Sequence, residues 1–248
     1  MMISKDRRMA RPRIAAAAQA PAIRVDDPWV ASSSKHHQLL TEDERSQLNG
    51  MGSIVRFNKG AQIYQEGVSA TAAFNVISGV VKAYRTAADG SEHIVAFLYP
   101  GDLFGLAEGA RYTNSARALT PVTAFQLAIP ALRSKLTKDA ALDFHVICKL
   151  CQELRQAQQH SLLLARRQAV PKLAAFLHLL DQHQSTRGER GADIYLPMNR
   201  SEIGEYVGMS LEAVSRAFRT LTARGVIRSR DRHHLVITDR NALNAISA

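Results

Sequence analysis

The sequence predicts an α+β chain in three parts: a small antiparallel β-barrel of jelly-roll type, one long helix, and a C-terminal helical domain closed by a hairpin. Three observations point there. From Ile54 to about Ile129, short β-prone runs are separated by Gly60, Gly67, Gly79, Gly90 and Gly101. Short strands with regular turn glycines make small antiparallel sheets. Beyond Pro130 the apolar residues recur at steps of three and four, which is helical spacing. Charge marks off the last part. Residues 25–165 hold thirteen Lys/Arg against thirteen Asp/Glu, whereas residues 166–248 hold thirteen against eight.

The 248 residues suffice for one large domain or two ordinary ones. Hydrophobic residues make up 46%, too many for a disordered chain. No apolar run approaches the ~18 residues of a membrane-spanning helix. No signal-peptide-like apolar stretch stands at the N-terminus. A cytoplasmic location without membrane partners is therefore expected. Two cysteines cannot form a disulfide framework, in keeping with a reducing compartment. Of the net charge of +10, +5 lies in residues 166–248. A basic C-terminal part beside a neutral centre suits a polyanion, although plain solubilising charge gives the same sum.

Taken in order, residues 1–35 are rich in Arg, Ala, Pro and Ser without an apolar period. They read as a flexible basic extension, and superficially resemble a transit peptide. Residues 36–138 form the barrel part. It opens on a short helix over 39–52, with Thr41 as N-cap and Glu44 at the capping-box position. The runs SIVRF, QIYQEG, FNVISGVVKAYRT, HIVAFLY and VTAFQLAI are its strands, and the ADG ending at Gly90 is a hairpin signal. Pro130 suits the first turn of a helix. Residues 139–166 carry a long helical pattern, and Pro171 marks a break or a new start. Residues 167–248 hold a further amphipathic helix, a loop at STRGERGAD, two short helices and a final hairpin.

The segment NRSEIGEYVGMSLEAVSRAFRTLTARGVI carries the chemistry. Ile203 and Val207 share one face of a first short helix. Gly208, Met209 and Ser210 form a tight turn, with Ser210 the natural N-cap of the next helix. There Leu211, Val214, Phe218 and Leu221 step by three, four and three as a buried stripe. The other face presents Glu212, Ser215, Arg216 and Arg219. Two helices, a three-residue turn and a polar face on the second make a helix-turn-helix. Arg216 can donate twice to guanine, Glu212 can accept from cytosine N4, and Ser215 suits either base type. Glu212 and Arg216 also stand four apart, so a plain surface ion pair of ~0.3–0.5 kcal/mol is the alternative. After Gly225, the residue expected just past the helix end, VIRSRDRHHLVITD reads as two strands around a basic turn, a wing. Arg228, Arg230, Arg232, His233 and His234, together with Ser210, Arg219 and Arg200, are placed as phosphate-contacting or supporting residues that position rather than specify.

On these residues, 36–248 resembles the CRP/FNR superfamily of bacterial transcription regulators, more closely its FNR/FixK branch. LLLARRQAVPKLAAFLHLL, LPMNRSEIGEYVGMSLEAVSR and the wing carry the likeness, and Glu212, Ser215 and Arg216 match the branch's recognition-helix signature. The resemblance implies a cyclic-nucleotide-binding-like jelly roll, a dimerisation helix and a winged helix-turn-helix. It implies a homodimer on a palindrome of TTGAT-type half-sites, activation through RNA polymerase, and control of low-oxygen, nitrogen-oxide, nitrogen-fixation or denitrification genes. Two departures matter. Oxygen sensors of the branch hold an iron–sulfur cluster on N-terminal cysteines, and this chain has none before Cys148. Cyclic-AMP-binding relatives use a Gly-Glu and an Arg-Ser pair. Here Leu106 replaces the Glu, and Asn114 precedes Ser115 in place of the Arg. Without the guanidinium a cyclic phosphate loses a bidentate charged contact. No cyclic AMP and no cofactor are expected, although Arg111 and Arg117 stand near enough to hold another anion.

The long helix suits the dimerisation role that the resemblance implies. Phe144, Ile147, Cys151 and Leu154 step by three, four and three, flanked by Leu150 and Ala157 and continued at Ser161, the pattern of a coiled-coil seam. Cys148 and Cys151 lie within it as C-x-x-C. Three readings stand: packing residues, an intermolecular Cys151 disulfide, or four thiolates from two subunits around a metal. Mid-helix placement favours packing, and no metal site is expected. A rival to the regulator is a small-molecule-binding protein whose C-terminal domain only dimerises. The recognition-helix face argues against it. No Ser–His–Asp arrangement, phosphate-cradling glycine loop or HExxH pair suggests an enzyme.

Overall fold

Residues 52–128 form two facing four-stranded sheets rather than a closed barrel, a jelly-roll-like arrangement. The protein's computed structural model describes residues 52–107, 110–186 and 193–247. The extension 1–35, the helix expected over 39–52 with Thr41 and Glu44, and most of the STRGERGAD loop lie outside the described residues. One sheet runs β1 (Gly52–Phe57), β8 (Val122–Ala128), β3 (Ala72–Ser78), β6 (Leu103–Phe104). The other runs β2 (Gln62–Tyr64), β7 (Ser115–Ala118), β4 (Val81–Thr86), β5 (Glu92–Leu98). All their ladders are antiparallel. Alternation along the strands sends Val76, Val122 and Ala124 of the first sheet, and Val81, Ala116 and Ala118 of the second, into the space between. Tyr64, Phe74, Phe104 and Tyr112 fill the remainder. The ADG turn does close the β4–β5 hairpin, with Gly90 at φ +84°. Strands β6 and β7 are additional to the runs read from the sequence.

The outer face of the first sheet, with Ala73, Leu103, Phe125 and Leu127, packs on two helices. These are α1 (Ile129–Leu136), with Pro130 in its first turn, and α2 (Ala140–Ala165). Asp139 caps α2 by accepting from the Leu142 N–H at 3.1 Å. A nearly dry ion pair pins α2 to the sheets: Lys149 Nζ lies 2.8 Å from Asp102 Oδ1, with side chains 3% and 7% exposed. Asp102 Oδ2 also accepts from the Tyr99 N–H at 2.8 Å. One turn beyond Lys149, Glu153 has a buried Oε1 without a hydrogen-bond partner. Burial pushes the Glu153 carboxyl up to about 7; Lys149 opposes this and Asp102 adds to it. The native state therefore holds this proton more tightly than the unfolded chain. The stability contribution is fully present below the ordinary value of 4.5 and is lost as pH rises through about 7. Accordingly, the melting temperature of Glu153→Gln should gain on that of the wild type between pH 5 and 8. Parallel curves would remove Glu153 from the pH response.

Helix α2 stops at Ala165, one residue short of the expected end, and residues 166–168 are non-helical. Then follow α3 (Ala169–Thr186), β9 (Asp193–Tyr195), α4 (Arg200–Val207), α5 (Leu211–Ala223), β10 (Ile227–Ser229), β11 (His234–Ile237) and α6 (Arg240–Ser247). Leu173, Leu177, Ile203, Val207, Val214, Leu221, Ile227 and Leu243 form their common core. The chain does not end at the hairpin: α6 follows it, anchored by the buried Leu243. The hairpin itself gains a third strand, in the order β10-β11-β9. Val80, Tyr99 and Leu119, each one residue beyond a strand of the second sheet, belong to this same cluster. No helix among the described residues is long and apolar enough to cross a membrane.

Candidate nucleic-acid interface

Local sequence dictates the angle between α4 and α5. Asn199 caps α4 in a full capping box: its Oδ1 accepts from the Glu202 N–H, and Glu202 Oε2 accepts from the Asn199 N–H, both at 2.9 Å. Gly208 ends the helix in the left-handed region at φ +65°, where a side chain is strained. Gly204 lets the turn fold back closely, since a Cβ there would stand 2.5 Å from the Met209 carbonyl oxygen. Ser210 then caps α5, accepting from the Ala213 N–H at 3.2 Å.

Helix α5 buries Val214, Ala217, Phe218 and Leu221. Leu211 does not belong to that stripe. It is 53% exposed, because the first residue of α5 projects past the helices that cover the rest. On the open side Glu212, Arg216 and Arg219 are exposed and Ser215 is half-buried. Glu212 and Arg216 make no ion pair among the described residues. Arg200 is less open than its placement as a phosphate contact suggested. Its guanidinium carbon lies 3.2 Å from the centre of the Phe218 ring, and one terminal nitrogen is buried without a hydrogen-bond partner. Burial lowers it to about 10, so it remains a cation at neutral pH.

In the wing, Arg228 and Arg232 are exposed, whereas Arg230 turns back onto Asp193. The wing turn is held by Asp231, whose carboxylate accepts from the backbone N–H groups of His233 at 2.7 Å and His234 at 2.8 Å. Those bonds, the His233 one foremost, hold the Asp231 carboxyl below the ordinary range. Arg230 pairing and Arg200 stacking had no sequence signal, since each partner lies elsewhere in the chain.

Along α2 the seam residues form an open apolar strip. Ile147, Leu150 and Leu154 are 48%, 45% and 60% exposed. Cys151, Ala157 and Ser161 are exposed and Phe144 half-buried. Both Cys148 and Cys151 are free thiols.

Inside the sheets, Tyr64 stacks on Tyr112 with ring centres 3.9 Å apart, and the Tyr64 hydroxyl donates to Asn114 Oδ1 at 3.1 Å. Leu106 packs with the cluster under α1 and α2 instead. Both nearby arginines have partners within the chain. Arg111 donates to the Gly67 carbonyl at 2.6 Å, and Arg117 pairs with Glu92 at 2.8 Å while donating to the Tyr84 hydroxyl at 2.6 Å. Among the described residues no group of three His, Cys, Asp or Glu is placed to hold a metal.

Two family models match this chain: a cyclic nucleotide-binding domain over residues 54–139 and a Crp-like helix-turn-helix domain over residues 171–246. The nitrogen fixation regulation protein FixK of Bradyrhizobium diazoefficiens is 34% identical over 190 residues, covering 76% of this chain and 79% of that protein. Its namesake from Rhizobium meliloti is 31% identical over 199 residues, covering 80% and 89%. Among solved structures, FixK2 from Bradyrhizobium japonicum superposes with a TM-score of 0.74 at 30% identity, over 79% of this chain and 98% of that one. With the sandwich, long helix and winged helix-turn-helix in the same order, the chain belongs to the CRP/FNR family of transcription regulators, in its FixK-like branch.

Proposed function

We propose that this chain acts as a homodimer that binds a palindrome of TTGAT-type half-sites and activates transcription with RNA polymerase. The open face of α5 carries this reading. Arg216 is free to donate twice to a guanine, Glu212 to accept from a cytosine, and Ser215 to bond either base type. The exposed Leu211 beside them suits a thymine methyl. Ser210, Arg219, Arg228 and Arg232 serve the phosphates, with Arg200 and Arg230 reaching them only by leaving their present partners. The strip from Phe144 to Ser161 supports pairing of two α2 helices about a two-fold axis, which a palindrome requires. Cys151 then packs at the seam. The named roles of the FixK relatives support control of nitrogen-fixation or low-oxygen genes, and the reading places the protein in the cytoplasm. Asn114, Leu106 and the aromatic filling support regulation without cyclic AMP, and the reading includes no cofactor.

The test is binding of the anaerobically purified protein to a TTGAT-N4-ATCAA duplex and to a scrambled one, with and without air. The expected result is a dimer bound to the palindrome alone, from a colourless, metal-free protein. Equal affinity for both duplexes overturns the sequence-specific reading, and a coloured or metal-loaded protein overturns the cofactor-free one.

A further inference from the structure

Lys82, on β4, has its side chain only 8% exposed and lies between two carboxylates from different parts of the chain. Its Nζ is 2.9 Å from Glu92 Oε2 on β5 and 3.4 Å from Glu202 Oε1 on α4. Glu202 is the capping-box residue of α4, and its other oxygen already holds the Asn199 N–H. Glu92 is in turn held by Arg117, which touches Tyr84, and the Tyr84 hydroxyl donates to Gln62 Oε1 at 2.8 Å. A polar chain thus crosses the outer face of the second sheet and ends on the first helix of the helix-turn-helix. Apolar contact continues it: the rings of Phe97 on β5 and Tyr206 on α4 are 5.0 Å apart. In this docked arrangement Glu212, Arg216 and Arg219 stay exposed, so docking does not hide the reading face.

We propose that Lys82 is a positioning residue for DNA reading, clamping α4 to the β-sheets through Glu202 and so setting the direction in which α5 points. This rests on the DNA-binding function proposed above. The physical argument is one of charge. Without the ammonium, Glu92 retains Arg117, but Glu202 faces it across the junction as a second carboxylate with no cation between them. Like charges in a sheltered site repel, and the junction between α4 and the sheet opens more often. An undocked reading domain samples many orientations, and only a fraction of them suits both half-sites of a duplex. The observed affinity falls by that fraction.

The test uses the full chain in three variants: Lys82→Met, Glu202→Gln and the two combined. Glutamine preserves the capping box, so Glu202→Gln removes the clamp without uncapping α4. Two readouts are taken. One is affinity for the palindromic duplex at fixed salt. The other is the rate of tryptic cleavage after Arg166 and Arg167, in the non-helical segment between α2 and α3. Lys82→Met is expected to cleave faster and to lose about tenfold in affinity, within the range of coupling between contacting groups. Glu202→Gln should move both in the same direction by less. The double variant should recover toward wild type, because the repulsion is gone. Wild-type behaviour of both single variants overturns the clamp, and faster cleavage at unchanged affinity overturns the positioning role. Should Lys82→Met fail to fold, Glu202→Gln decides alone by the same criteria. A wild-type protein that ignores the duplex defeats the proposed function instead, and the cleavage rates then decide the clamp separately.

Discussion

Arg216→Ala should weaken binding to the TTGAT-type palindrome by ~1–3 kcal/mol and erase the preference for guanine at one position of each half-site. The magnitude follows from the geometry. Arg216 is exposed and has no ion pair with Glu212 to give up before it meets a base. Truncation therefore removes a bidentate contact without exposing an orphaned partner in the protein. Arg228→Ala is the contrasting control. An exposed wing arginine serves phosphates, so its loss should weaken all sequences alike and reduce the salt dependence by about one counterion. Fluorescence anisotropy on duplexes with the guanine replaced separates the two. Undiminished discrimination in Arg216→Ala would sink the base-reading assignment.

The second large effect is on stability. Lys149→Met should cost ~3–5 kcal/mol, because it takes away the ammonium that stands 2.8 Å from the buried Asp102 carboxylate. The Tyr99 N–H also donates to Asp102, but a neutral hydrogen bond does not replace a charge. Replacing both members, Lys149→Met with Asp102→Asn, should restore most of the loss, since removing a buried pair together is far cheaper than breaking it. Urea midpoints at pH 7 measure both. An unchanged midpoint in the single variant would mean that water reaches Asp102 freely.

What the sequence disclosed, and what it withheld, divides by range. The helix-turn-helix was legible because its caps, turn glycine and apolar steps all lie within a few residues of one another. So were the glycine-separated strands β1 to β5 and β8, and the long α2. Strand β9 and helix α6 were not, because β9 is defined by its pairing with the distant β11 and α6 buries a single leucine. Leu211 was misplaced because periodicity assumes that the covering surface extends the full length of a helix, and at the first residue of α5 it does not. At the interface, residue types were legible but their pairing was not. Arg200 on Phe218, Arg230 on Asp193 and Lys82 between Glu92 and Glu202 join residues that only the fold brings together. The open strip on α2 was foreseen in position, since coiled-coil spacing is also a local property.

The cluster that holds Val80, Tyr99 and Leu119 together with Leu173, Phe176 and Leu221 limits how freely this protein's parts can be exchanged. A sensor and a reader joined only by a hinge are interchangeable cassettes. Here the apolar core of the helix-turn-helix part covers one end of the second sheet. Transplanting residues 169–247 onto a foreign jelly roll leaves an apolar wound on both donor and graft unless the recipient supplies matching side chains at those three positions. Recombination among relatives must therefore carry the flank with the reader. The same sharing links their thermal histories: heat that loosens one part strips solvent protection from the other, so the pair gives way together.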